Sequence, residues 1–184
     1  LDIEGLDSAH KLQILAMLAF RTAVDLKDIY TEGITGVSQA DVVNARELGY
    51  RIKLLAIAKA GDGALEARVH PTMIPAISPM AAVSGVFNAV FITGDNVGDL
   101  MFYGRGAGQL PTASAVWSDA LDIARRVAHG VPALAVDLPS AAQTPLPIRP
   151  IDDIRTAYYL RVMALDRPGV LAQVAGILGQ HGIS

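Results

Sequence analysis

The 184-residue sequence predicts an α+β fold: an antiparallel sheet of about four strands with helices on one face, followed by a truncated βα unit. Three observations lead there. Apolar runs at helical spacing alternate with β-branched runs. The β-branched runs are joined by turns too short for a parallel crossover. Hydrophobic residues make up 52% of the chain and charged ones 18%, enough apolar side chains for a packed core and far from a disordered composition.

Residues 7 to 21 read as the first helix, with Asp7 as its N-cap and no Gly or Pro until after Arg21. His10, Gln13, Met17 and Arg21 recur as its wetter side. Positions 7, 11, 14, 15 and 18 share the other side, where Ile14, Leu15 and Leu18 are expected to be buried, with Lys11 at the edge of their stripe. In "SQADVVNARELGY" Ser38 and Asp41 form a capping-box variant, and Gly49 suits the residue after the helix. "RIKLLAIAKA" then runs through the turn Gly61–Gly63 into "ALEARVHPTMI" as a hairpin. "VFNAVFITG" and "DLMFYG" are two further strands joined through Asp95–Gly98. A third helix begins near Pro111, an acceptable first-turn residue, and ends at Gly130. Prolines at 132, 139, 145, 147 and 150 then predict an extended linker or a chain threading over a surface. Finally "TAYYLRVMALD" reads as a strand and "VLAQVAGILGQH" as a helix ending at Gly182.

The formal net charge of -3 supplies no electrostatic reason to bind nucleic acid or an anionic membrane surface, and basic residues are not interleaved with aromatics. The longest uncharged segment, Pro71 to Gly94, is broken by Pro75, Pro79 and Gly85, so a buried strand and loop is expected there rather than a membrane span. There is no cysteine, which excludes disulfide and thiolate chemistry and fits a cytoplasmic location. The histidines, at 10, 70, 129 and 181, have no metal-ligand spacing, and no metal site is expected. Because the chain starts at Leu1 and stops at Ser184 inside a βα pattern, it is expected to be part of a longer product.

Two stretches could carry chemistry. Asp7 and Lys11, four residues apart, form at the least a weak helical ion pair. A lysine at the edge of an apolar stripe loses hydration and needs a partner, and its movable pKa lets it give or take a proton, as arginine cannot. Asp2 and Glu4 add carboxylates just upstream. The second stretch is "YGRGAGQLPT", whose glycines at 104, 106 and 108 let the backbone approach a ligand ahead of a helix N-terminus that offers free amides. It is not a Walker loop, and Gln109 occupies the last glycine position of a dinucleotide fingerprint, so a structural tight turn is an equal reading.

Taken together, "LDIEGLDSAHKLQILA", "EGITGVSQADVVNARELGYRIKLLAIAK", "ARVHPTMIP" and "GRGAGQLPTASAVWSD" strongly resemble, in this order and spacing, the catalytic and dimerisation part of the homoserine dehydrogenases. "YYLRVMALDRPGVLAQVAGILGQHGIS" resembles the start of an ACT domain, a small regulatory module. The resemblance implies three regions: 1–130 catalytic and dimerising, 131–155 a proline-rich linker, and 156–184 a partial ACT domain. It implies NAD(P)-dependent interconversion of L-homoserine and L-aspartate 4-semialdehyde, on the route to threonine, methionine and isoleucine. Lys11 falls on the family's catalytic lysine. Asp7 and Asp2 fall on carboxylates that orient that lysine and contact substrate, and Gly106, Ala107 and Gly108 on the loop that closes on the cofactor. A homodimer, and an amino-acid effector at the ACT domain, are expected on the same ground. The family's nucleotide-binding part lies outside this chain, so the chain alone is expected not to turn over. The alternative is a non-catalytic dimerisation or regulatory fragment.

Overall fold

The computed structural model describes residues 2–131 and 145–183. Helix α1 (Leu6–Phe20) lies on a sheet built from the short strand β1 (Tyr30–Thr31) and the long hairpin β2 (Tyr50–Gly61) and β3 (Ala64–Pro75), in the order β1-β3-β2. The hairpin turn is Asp62–Gly63, with φ of 51° and 73°, and Gly61 pairs with Ala64 across it. It is thus the two-residue Asp-Gly turn whose left-handed residues match the strand twist, not a three-residue Gly61–Gly63 loop. Strand β1 runs parallel to β3, Tyr30 opposite Arg68 and Thr31 opposite Val69. At two residues it is too short to leave a periodic signature.

Leu65, Ala67 and Val69 of β3 point to one face of the sheet and meet Ala9, Leu12 and Ala16 of α1, with Val24 and Ile29 closing the core. Leu65 is 0% exposed. Glu66 and Arg68 alternate onto the other face, where Glu66 Oε2 lies 3.1 Å from Arg68 Nη1. Residues 147–149 dock on the β3 edge that carries β1: Leu65 N–H donates to Pro147 O at 2.9 Å and Arg149 N–H to Leu65 O at 2.9 Å. The part of the proline-rich stretch around 145–150 therefore threads over the sheet, held also by Leu146 N–H donating to Thr22 Oγ1 at 2.7 Å. Residues 132–144 of the expected linker lie outside the described residues.

Helix α2 (Gln39–Glu47) packs beside β2. Its capping box is complete: Asp41 N–H donates to Ser38 Oγ, and Ser38 N–H to Asp41 Oδ2 at 2.9 Å. Gly49 takes a φ of 82° just past its end.

The strands β4 (Phe87–Gly94) and β5 (Gly98–Arg105) form a separate two-stranded antiparallel sheet, followed by α3 (Gln109–Ala128). The α+β class holds, but the four main strands divide between two small sheets. Pro75 ends β3, and the 3-10 turn at Pro79–Ala82 carries the chain away before β4 begins. Residues 76–86 form turns and no strand, so no ladder joins β3 to β4.

Helix α4 (Val170–Gln180) forms as its pattern predicts, after Gly169 in the left-handed region at φ 88°. The strand expected over 156–166 does not form. A strand exists only through its ladder, and among the described residues no strand pairs with this segment. No helix of the described residues is long and apolar enough to cross a membrane.

Candidate functional site

Gly5, at φ 82°, is the N-cap of α1, and Asp7 sits inside the first turn, where a carboxylate favours the positive end of the helix dipole. Asp7 is therefore not the N-cap that the sequence pattern predicts. One turn later the Lys11 ammonium reaches Asp7 Oδ2 at 2.6 Å. The turn before α1 is closed by Gly5 N–H donating to Asp2 O at 3.2 Å. The main chain thus brings Asp2, Asp7 and Lys11 to one end of one helix.

The pair is half exposed: the Lys11 side chain keeps 59% of its surface and the Asp7 side chain 47%. Helix α1 is turned the other way from the expectation. It buries Ala9, Leu12 and Ala16, while Ile14 (60% exposed), Leu15 and Leu18 face out. From Ile14 to Phe20 the helix is apolar all round, so periodicity over that half fits either stripe. The face carrying Ala9 and Ala16 has small side chains and comes closer to the sheet, which favours it for close packing. Lys11 does stand at the edge of an apolar stripe, but that stripe lies on the surface of this chain.

The glycine turn lies at the junction of β5 and α3. Gly106 N–H donates to Val86 O at 3.2 Å, and a Cβ at Gly106 would overlap the side-chain amide of Asn88. Gly108, at φ 130°, is the N-cap of α3 and has no side chain to cap it. In the first turn of α3 Pro111 has no N–H and Thr112 N–H donates to Gly108 O at 3.1 Å, so Gln109 and Leu110 are the amides that an outside acceptor could reach. The main contacts of α1 are with β2, β3 and the 3-10 turn Leu26–Asp28. The structure therefore groups the acidic turn with the lysine, but builds no extensive packing between them and Gly106–Gly108.

A second polar centre joins distant parts of the chain and is only half legible in the sequence. Asp41, 8% exposed, caps α2 and also accepts Arg161 Nε at 2.6 Å on Oδ1 and the Tyr159 hydroxyl at 3.2 Å. Arg161 Nη2 donates to Ser38 Oγ at 3.2 Å, and Asn44 Nδ2 to the Tyr159 oxygen at 3.0 Å. The Arg161 guanidinium, and then the hydrogen bonds from Ser38, hold the Asp41 carboxyl well below the usual carboxylate range. The Ser38–Asp41 spacing signals the cap, but nothing local signals a partner lying 120 positions downstream. Elsewhere the Tyr30 phenol is pushed up, first by burial and then by donating to Glu32 Oε2 at 3.0 Å. Among the described residues no group of three His, Asp or Glu side chains is gathered as metal ligands would be.

Comparison with known proteins bears on both regions. The family model described as Homoserine dehydrogenase matches residues 1–121, and that described as ACT domain matches 158–184. The homoserine dehydrogenase of Neisseria gonorrhoeae is 48% identical over all of this chain and 42% of its own length; that of Pseudomonas aeruginosa is 49% identical, with 43% of its length covered. Among solved structures, a homoserine dehydrogenase from Thiobacillus denitrificans superposes with a TM-score of 0.89 at 46% identity, over 97% of this chain and 42% of that one. The S. aureus homoserine dehydrogenase at pH 7.5 gives a TM-score of 0.64 at 44% identity, over 68% of this chain and 31% of that one. The chain thus spans less than half the length of these relatives.

Proposed function

Because this chain belongs to the homoserine dehydrogenase family, we propose that it is the substrate-binding and dimerising part of an enzyme that interconverts L-homoserine and L-aspartate 4-semialdehyde with NADP or NAD. The observation that carries the reading is the Asp7–Lys11 pair, 2.6 Å apart at the mouth of α1 with Asp2 in the turn just before it. In the reducing direction the Lys11 ammonium gives its proton to the aldehyde oxygen as that oxygen gains charge. In oxidation the neutral amine takes the hydroxyl proton of homoserine. Asp7 holds Nζ in place, and Asp2 contacts the polar groups of the amino acid.

The nicotinamide, when bound, supplies or accepts the hydride. The glycine turn fits the edge of such a group, since a Cβ at Gly106 would have to displace the Asn88 side chain and the α3 start has no side-chain cap. Gly106, Ala107 and Gly108 are the residues of this chain that would lie along it. Most of the cofactor site would belong to the rest of the enzyme. Covering the outward stripe of Ile14, Leu15 and Leu18 with that remainder would also dry Lys11, raising the effect of every charge around it.

We assign residues 1–130 to the catalytic and dimerisation region, 131–155 to the linker and 156–184 to the ACT portion, with an amino acid as its effector. The enzyme would be a cytoplasmic homodimer. The half-exposed Lys11, with no extensive packing to the glycine turn, favours a second reading for the chain on its own: a non-catalytic dimerisation or regulatory fragment. In the full-length enzyme, Lys11→Ala should lower kcat far more than it raises KM; a normal kcat would end the assignment. Purified 1–184 should show no homoserine oxidation with added NAD(P), and measurable turnover would overturn that division of labour. Calorimetric titration of the same chain with homoserine and with candidate effector amino acids separates the readings, since binding of an effector alone favours the regulatory one.

A further inference from the structure

We infer that Gly33 is a positioning residue for the proton-transfer site, acting through the backbone of the turn that carries Asp2; the inference rests on the reading of Asp2, Asp7 and Lys11 given above. Gly33 follows β1, and its α-carbon is pressed against the turn. A Cβ there would collide with Ile3 O and would lie 2.7 Å from Glu4 Cα and 3.2 Å from Glu4 C. All three are main-chain atoms, so no side chain can swing aside to relieve the contact. Next in sequence, Ile34 N–H donates to Ile3 O at 2.8 Å, which fixes the loop to the turn, and Glu32 N–H donates to Val69 O at 2.7 Å, which fixes the loop to the sheet.

The far end of the turn is held as tightly. Gly5 sits at φ 82°, and a Cβ there would lie 3.1 Å from Val69 Cγ1 and 3.2 Å from Thr31 Cγ2. The turn is therefore wedged between the loop after β1 on one side and the side chains of β1 and β3 on the other. From Gly5 the constraint passes into α1, because Ala9 N–H donates to Gly5 O at 2.9 Å, and Asp7 and Lys11 lie in the same first turns. A methyl group at position 33 must shift Ile3 and Glu4, and with them Asp2 on one side and the start of α1 on the other. Gly36 is the internal contrast: it lies in the same loop, a methyl group there would meet nothing within 4 Å, and its φ is not left-handed.

The test compares Gly33→Ala, Gly36→Ala and Lys11→Ala in the full-length enzyme, with activity expressed per molecule that binds NADPH by fluorescence titration, so that unfolded protein is not counted. Gly33→Ala should lower kcat/KM for homoserine on the order of 10²-fold, as a displacement of about 1 Å does in a proton-transfer site. Its dissociation constant for NADPH should stay within about twofold of the parent, and Gly36→Ala should match the parent, since neither change reaches the cofactor region. A merely structural role would lower the melting temperature and the number of binding molecules, and leave kcat/KM per binding molecule unchanged; that result overturns the inference. If Gly33→Ala yields no folded enzyme, replacing Ile34 by its α-hydroxy acid exchanges the amide N–H for an ester oxygen and removes the hydrogen bond to Ile3 O without adding an atom. Its kcat/KM should fall about tenfold or more by the same argument, and a parent-like value overturns the inference. Loss of activity in Lys11→Ala with a normal Gly33→Ala sinks the role of Gly33 alone, whereas a fully active Lys11→Ala sinks both.

Discussion

On the proposed reading Lys11 passes a proton in each turnover and must be held within hydrogen-bond reach of a partner; Asp7, one helical turn before it, is such a partner at 2.6 Å. Replacing Lys11 by Ala should cost on the order of 10²–10⁴-fold in kcat, the usual contribution of a positioned general acid or base. Arginine at the same position should not restore activity, since it keeps the charge but cannot release the proton. Steady-state kinetics of the two variants in the full-length enzyme tests both statements. Away from the site, Leu65 is 0% exposed at the centre of the core. Leu65→Ala should lower the stability to urea by about 2–5 kcal/mol, through lost transfer energy and the cavity left behind.

Among the elements, α2 carries two duties at one residue. Ser38→Ala removes the side-chain half of its cap and should cost about 1 kcal/mol in thermal unfolding. Asp41→Asn should do more, because the same carboxylate also receives Arg161 and Tyr159. The folded pKa of Asp41 lies below that of a free carboxylate. Its contribution is therefore complete above the unfolded value and is lost only as pH falls through the depressed folded value. Docking of residues 159–161 on α2 should be flat between about pH 5 and 8, where a free carboxylate of pKa about 4 is already ionised, and should fail only in strong acid. Tyrosine fluorescence followed through an acid titration, with Asp41→Asn as the control, reads this directly. At the hairpin, Gly63 holds φ 73°, so Gly63→Val should destabilise by more than about 1 kcal/mol, whereas a site with ordinary φ would tolerate the change.

For the molecule as a whole, the second sheet and α3 stand out by what they leave uncovered. No residue of α3 is buried, Trp117 is 67% exposed, and Phe102 and Tyr103 of β5 are exposed as well. A two-stranded sheet is marginal by itself in water, and apolar surface on this scale marks an interface. If the proposed homodimer forms, this is the surface we expect it to use: Trp117→Glu should then shift the sedimentation of the chain toward monomer, and an unchanged distribution would point to another surface. What the sequence by itself determined is whatever rests on neighbours along the chain: α2 with its Ser38–Asp41 box, a hairpin turning near residues 61–63, helix α4, and the Asp7–Lys11 spacing. Tertiary structure alone decided which side of α1, apolar all round from Ile14 to Phe20, turns inward, because the small Ala9 and Ala16 pack into the core with β3 while Ile14 and Leu18 stay exposed. It alone paired Thr31 with Val69, split the four long strands between two sheets, left residues 156–166 without a ladder, and carried Arg161 to Asp41. Each of these depends on a partner far away in sequence, and local propensity holds no record of a partner that only folding brings near.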